Sequence, residues 1–251
     1  MTKYLSLDYI KGQFFEYSKD ELPGYEKHTS SKGNVTYRNY FLKGVRGVFK
    51  GVKFEDGNFG EQVRVGLEDN GTVYLLSLGT SNTNGYEDGF FIPLLQFLPG
   101  MKMGETYLIN PYRFTPKDSK YEKRGFSIKD ENDQPVERVL SQAYYKNKEL
   151  VEGDIPALTF EQDRKEKWSV DPVSQKARDK YIDTVIEGLE KTHPADFGGG
   201  IQGYNVTSAD LATGAQRAAP MPSEEVPTVS KGGSKTEEPA GGEIDDDTLP
   251  F

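Results

Sequence analysis

Three meandering strand patterns from Phe41 to Leu78, one short apolar helix at Phe90 to Leu98, and two returning strands ending at Lys129 predict a mainly β fold. In that order they match the OB-fold, a five-stranded Greek-key barrel. Another small β-barrel with an inserted helix fits the same order.

The first strand, Phe41 to Phe54 (FLKGVRGVFKGVKF), is long and β-rich, and its glycines at 44, 47 and 51 suit a bent strand with bulges. Asp56-Gly57-Asn58 turns the chain. Gln62 to Glu68 then alternates, with Val63, Val65 and Leu67 on one face and Arg64 among the residues on the other. Asp69-Asn70-Gly71 signals a hairpin into Thr72 to Leu78. A Gly/Asn/Ser loop leads to the apolar block at Phe90, where Pro93 suits a first helical turn and Pro99-Gly100 a stop. Thr106 to Thr115 and Gly125 to Lys129 complete the barrel pattern. Further on, Asp171-Pro172 reads as an N-cap followed by a first-turn proline, and the stripe of Val173, Ala177, Tyr181, Ile182, Val185, Ile186 and Leu189 has helical period.

The expected organisation is an N-terminal extension over residues 1–39, an OB core over 40–130, a C-terminal extension over 131–191 carrying a helix over 172–190, and a disordered acidic tail over 192–251. The extensions are expected to cover the barrel or pair with a partner. Composition supports the tail: its 60 residues contain nine Gly, six Pro, three aromatics, ten acidic side chains and three basic ones. So few apolar anchors cannot offset the entropy of ordering the chain. Of the net charge of −9, the tail carries −7, from ten acidic against three basic side chains, which leaves −2 for the first 191 residues.

Several function classes drop out. The absence of cysteine excludes disulfide scaffolds, thiol nucleophiles and cysteine-based zinc or iron–sulfur centres, and two histidines do not make a multi-histidine metal site. No basic start with a following apolar run, and no run of 18 apolar residues, indicates secretion or membrane insertion, so a cytoplasmic protein is expected. Gly198 to Gly203 satisfies the GxGxxG spacing but follows a proline rather than a strand, which fails the context a dinucleotide site requires. Asp130, Asn132 and Asp133 resemble half a calcium loop but lack its Gly and closing Glu, and no spacing of carboxylates proposes a nuclease. The expectation is a non-enzymatic protein without cofactor or metal.

Charge and rings are concentrated in two blocks. From Lys27 to Phe54 there are seven basic residues (Lys27, Lys32, Arg38, Lys43, Arg46, Lys50, Lys53) and no acidic one. Residues 112–129 add Arg113, Lys117, Lys120, Lys123, Arg124 and Lys129 against Asp118 and Glu122. Tyr37, Tyr40, Phe41, Phe49 and Phe54 lie among the first set, and Tyr112, Phe114, Tyr121 and Phe126 among the second. In an OB-fold the first strand and the loop between the last two strands are neighbours, so the blocks would form one positive groove. Cations that follow phosphates and rings that take bases are the requirements of sequence-tolerant single-strand binding. The candidate DNA-binding residues are Lys43, Arg46, Lys50, Lys53, Arg64, Tyr112, Arg113, Phe114, Lys117, Lys120, Tyr121, Lys123 and Arg124.

The chain ends in Asp245, Asp246, Asp247, Thr248, Leu249, Pro250 and Phe251, a short apolar hook behind an acidic run. An apolar pocket ringed with cations can capture such a segment. The ending resembles the C-terminal tip of bacterial single-stranded DNA-binding proteins, usually D-D-D-I-P-F, with Thr248 and Leu249 in place of one Ile. The larger core is more similar to the replication single-strand binders of tailed bacteriophages. The resemblance implies single-stranded DNA binding during replication, recombination and repair. It implies recruitment of polymerase, helicase or primase through Asp245, Asp246, Asp247, Leu249, Pro250 and Phe251, in the cytoplasm of a bacterial host if the chain is phage-encoded. A homo-oligomer is left open. The competing expectations are an OB-like interaction or phage structural module with a solubilising tail, and an RNA binder.

Overall fold

The computed structural model describes residues 1–30, 33–57, 60–81, 89–117, 119, 121–146, 149–162 and 168–197. The chain divides into two units, Met1–Ala219 and Pro220–Phe251, and every described residue lies in the first. Lys120 and the tip from Asp245 to Phe251 lie outside the described residues, as does the tail from residue 198 onward.

The fold is mainly β. Nine of the described strands form one curled mixed sheet: β1 (Thr2–Asp8), β2 (Gln13–Ser18), β3 (Glu26–Thr29), β4 (Val35–Phe41), β5 (Val45–Gly57), β6 (Gly60–Asp69), β7 (Thr72–Gly79), β8 (Thr106–Phe114) and β9 (Lys123–Lys129). Their spatial order is β3-β4-β2-β1-β7-β6-β5-β8-β9. Neighbours are antiparallel except β1 and β7, which run parallel from Thr2↔Val73 to Ser6↔Ser77. The helix α1 (Phe91–Leu95), followed by a 3-10 turn at Leu98–Gly100, stands between β7 and β8. Two small hairpins, β10 (Tyr144–Lys146) with β11 (Glu149–Val151) and β12 (Phe160–Gln162) with β13 (Trp168–Val170), precede α2 (Pro172–Thr192).

Alternation builds the core. Val63, Val65 and Leu67 of β6 point inward with Leu76 and Leu78 of β7, Ile109 of β8, and Phe126 and Ile128 of β9. Phe91, Ile92, Leu94 and Leu95 of α1 fill the same core, so this helix is apolar nearly all round because it is enclosed nearly all round. Asp171 caps α2 by accepting hydrogen bonds from the amides of Val173 and Ser174, and Ile182, Ile186 and Leu189 lock the helix onto the core. Among the described residues no helix is long and apolar enough to cross a membrane.

Three features depart from the sequence expectation. Residues 1–39, expected as an irregular extension, form β1 to β3 and most of β4, and the long strand expected over Phe41 to Phe54 is two strands. The break falls at Leu42–Gly44: the Gly44 amide donates to the Phe41 carbonyl at 3.1 Å, and Gly44 has φ +77°, so it makes a turn where a bulge was expected. The only register shift between β5 and β6 lies between Phe49 and Val52. Finally, the tail expected to begin at Thr192 meets a packed exit segment. Thr192 ends α2, the His193 carbonyl accepts from the Val52 amide at 3.0 Å, the Asp196 amide donates to the Lys50 carbonyl at 2.8 Å, and Phe197 is buried against Val73 and Leu75.

His193 pins this exit. Its Nε2 donates to the Met101 carbonyl at 2.7 Å, Nδ1 lies 2.6 Å from the Thr192 oxygen, whose hydroxyl donates to the Gly188 carbonyl at 2.9 Å, and the ring lies 5.9 Å from that of Phe49.

Candidate functional site

The sheet curls until β2 comes alongside β8. This seam carries no strand ladder among the described residues. It is held by the turn after β1. Asp8 Oδ1 accepts from the amides of Ile10 and Lys11, both at 3.0 Å, and the Gly12 amide returns to the Asp8 carbonyl at 2.8 Å. Arg113 of β8 then reaches across and donates through Nη1 to the Tyr9 carbonyl at 2.6 Å. Phe14 and Phe126 close the inside of the seam, their ring centres 6.2 Å apart.

The turn Leu42–Gly44 bridges the same seam. Phe41 is paired with Phe14 on one side and Val45 with Ile109 on the other, and Gly44 packs closely on Ile109 and Asn110.

On β8, Tyr112 and Phe114 share one face, with ring centres 5.8 Å apart and planes tilted by 45°. Phe114 is 52% exposed and stands opposite Lys123 in the ladder. Tyr121, in the connection to β9, is 53% exposed. Lys117, Lys123 and Arg124 are exposed on the same two-strand unit, and Lys43 is exposed at the seam.

Ion pairing divides the thirteen candidate residues. Lys50 bridges Glu68 at 3.3 Å and Asp196 at 3.2 Å, and the hydrogen bonds it donates to Asp196 and then Glu68 hold its ammonium above the usual lysine range. Lys53 and Arg64 share Glu55, each at 2.7 Å, and the Arg64 guanidinium lies 5.5 Å from the Tyr4 ring centre. Arg46 pairs with Asp133, and Arg113 pairs with Glu122 at 2.6 Å in addition to its seam bond. By contrast, Lys43, Lys117, Lys123 and Arg124, and Lys129 at the other end of β9, meet no carboxylate within ion-pairing distance among the described residues. The expected single groove from the first strand to the last loop is therefore two regions of different character.

The β5–β6 region is also covered. Asp196 sits on Lys50, and Phe197 lies so close over Gly66 that a Cβ there would strike its ring. This coverage was not readable from the sequence, because a single Asp-Phe pair beside three glycines resembles the tail in composition. Sequence reading also missed Arg113 as a seam tie, since its partner carbonyl lies 104 residues away.

Cations that meet no carboxylate among the described residues, around rings that are exposed or half-buried, can attract a polyanion and offer flat apolar surface to whatever that polyanion carries. Among the described residues no group of three His, Asp or Glu side chains is placed to hold a metal ion. No protein-family model matches the chain, and no curated protein or solved structure matches it significantly. The functional reading therefore rests on this geometry.

Proposed function

We propose that the chain binds single-stranded DNA, without strong sequence preference and without catalysis, along β8, β9 and the adjoining seam. The observation that carries this reading is the grouping of Lys43, Lys117, Lys123 and Arg124, none paired with a carboxylate among the described residues, around Tyr112, Phe114 and Tyr121. Cations that meet no carboxylate among the described residues gain more from phosphate than cations that must first give up an ion pair, and stacking on rings tolerates any base.

The strand order supports an OB-type core. The run β7-β6-β5-β8-β9 has the neighbour relations of an OB barrel's third, second, first, fourth and fifth strands, with α1 between the third and fourth. The departure is β1, which takes the edge of β7 in parallel, so the curl closes on β2 through the seam. In this proposal β1 to β4 enlarge the barrel. The acidic tip, residues 245–251, serves phage-type replication, recombination and repair by recruiting polymerase, helicase or primase.

The test is titration of the full chain into labelled oligo(dT) at several salt concentrations, with light scattering of the same mixtures. Tight binding at low salt that weakens steeply with added salt is expected. Absence of binding at low salt overturns the proposal in favour of a protein-interaction module, and stronger binding to oligo(U) than to oligo(dT) assigns the surface to RNA.

A further inference from the structure

Two large aliphatic side chains stand on the seam with no packing role. Ile10 is 62% exposed and Leu42 is 70% exposed, although both belong to tightly bonded turns. Ile10 follows Tyr9, whose carbonyl is held by Arg113, and its own amide is tied to Asp8. Leu42 follows Phe41, whose carbonyl closes the turn with Gly44. Water-exposed aliphatics are common singly. Here two occur on separate turns that meet the same strand, the first packing Gly12 on Arg113 and the second packing Gly44 on Asn110, with Tyr112 and Phe114 on that strand.

Rigid mounting has a consequence for binding. A turn whose backbone is already bonded loses little chain freedom when its side chain touches a ligand, so the apolar area it carries converts to affinity more completely than that of a mobile loop. The surrounding charge selects the occupant. Lys43 adjoins Leu42 directly and Lys123 stands opposite Phe114, neither with a carboxylate partner among the described residues. A hydrophobic segment of another protein would leave these cations without counter-charge. A polyanion bearing flat apolar groups satisfies both.

We infer that Ile10 and Leu42 are base-contacting residues, extending the Tyr112–Phe114 stacking surface across the seam so that the bases of a single strand pack on aliphatic as well as aromatic groups. The inference rests on the single-strand reading above. It adds that the seam reads bases, whereas the surrounding cations read phosphates. Apolar side chains touch a base face or a thymine methyl without a hydrogen-bond code, which keeps recognition sequence-tolerant.

The experiment compares the full chain with Ile10→Ser, Leu42→Ser and the double variant. Two probes of equal length are used: oligo(dT), and an abasic oligodeoxynucleotide that retains phosphates but lacks bases. The double variant is expected to lose about tenfold in affinity for oligo(dT), within the range for stacked bases. Its affinity for the abasic strand, its salt slope and its unfolding midpoint should stay unchanged, since the two side chains are exposed and uncharged. Equal loss on both probes, or loss on neither, overturns the inference. A smaller assembly in sedimentation of the double variant also overturns it, assigning the two residues to an interface between copies. If the unaltered chain binds neither probe at low salt, the single-strand reading itself fails, an outcome distinct from an unaltered chain that binds oligo(dT) and variants that match it.

Discussion

The Arg113 guanidinium donates to the Tyr9 carbonyl at 2.6 Å, and this bond ties the turn after β1 to β8, two parts of the curled sheet that no strand ladder pairs directly among the described residues. Arg113 thus has a structural duty. Arg113→Ala is expected to lower the urea midpoint and leave the salt slope of DNA binding nearly unchanged, because Glu122 and Tyr9 already occupy the side chain. A reduced slope with normal stability would return Arg113 to the phosphate-binding set.

The same seam depends on Gly12, which has φ +63° and whose added Cβ would lie 2.7 Å from the Arg113 Cβ. Gly12→Ala is expected to cost about 1–2 kcal/mol for the left-handed backbone alone, with the steric clash in addition. Equilibrium urea denaturation measures this, and a neutral result would mean the seam opens freely.

Charge removal should sort the cations. Neutralising Lys43, Lys117, Lys123 and Arg124 together is expected to lower the salt slope for oligo(dT) by about 0.7 for each phosphate that is no longer neutralised. Neutralising Lys50, Lys53 and Arg64 should lower it much less, since Glu68, Asp196 and Glu55 already compensate them. The reverse ranking would place the strand on the β5–β6 region.

Two phenylalanines twelve positions apart provide a paired control. Phe114→Ala should weaken oligo(dT) binding with a stability change within about 0.5 kcal/mol, as for an exposed site. Phe126→Ala, which empties a site packed against Phe14 and Phe90, should cost about 3–5 kcal/mol. Urea denaturation and anisotropy on the same samples separate the two effects.

Helix α2 should be acid-sensitive at its start. The amides of Ser174 and then Val173 hold the Asp171 carboxyl below its ordinary value of 3.8. A depressed folded pKa stabilises the native state above the unfolded value, and that contribution is lost as pH falls through the folded value. Helix signal and stability should therefore drop below about pH 4. Asp171→Asn keeps an acceptor at the cap and should flatten this part of the profile; an identical profile would show that other carboxylates dominate.

Much of the fold was legible because its signals are local. The alternation of Val63, Val65 and Leu67, the turn Asp69-Asn70-Gly71 and the cap Asp171-Pro172 each report on a neighbour only a few residues away, and each stands in the structure at the element it indicates. The β-strands before Phe41 were not legible. β1 owes its place to a parallel pairing with β7, about 70 residues distant, and its brief alternation of Leu5 and Leu7 with Ser6 and Asp8 carries no sign of that distant partner.

By itself, the sequence determined the mainly β class, the strand–helix–strand order, the helix start and the two blocks of cations and rings. Which of those cations meet a carboxylate was decided only by tertiary structure. Lys50 and Lys43 look alike in sequence, seven residues apart in one carboxylate-free stretch, yet Lys50 meets Glu68 and Asp196 while Lys43 meets no carboxylate among the described residues. The physical reason is range. Backbone propensity and periodicity act over a few residues, whereas an ion pair or a covering ring such as Phe197 over Gly66 depends on which distant segments the fold brings within a few ångströms.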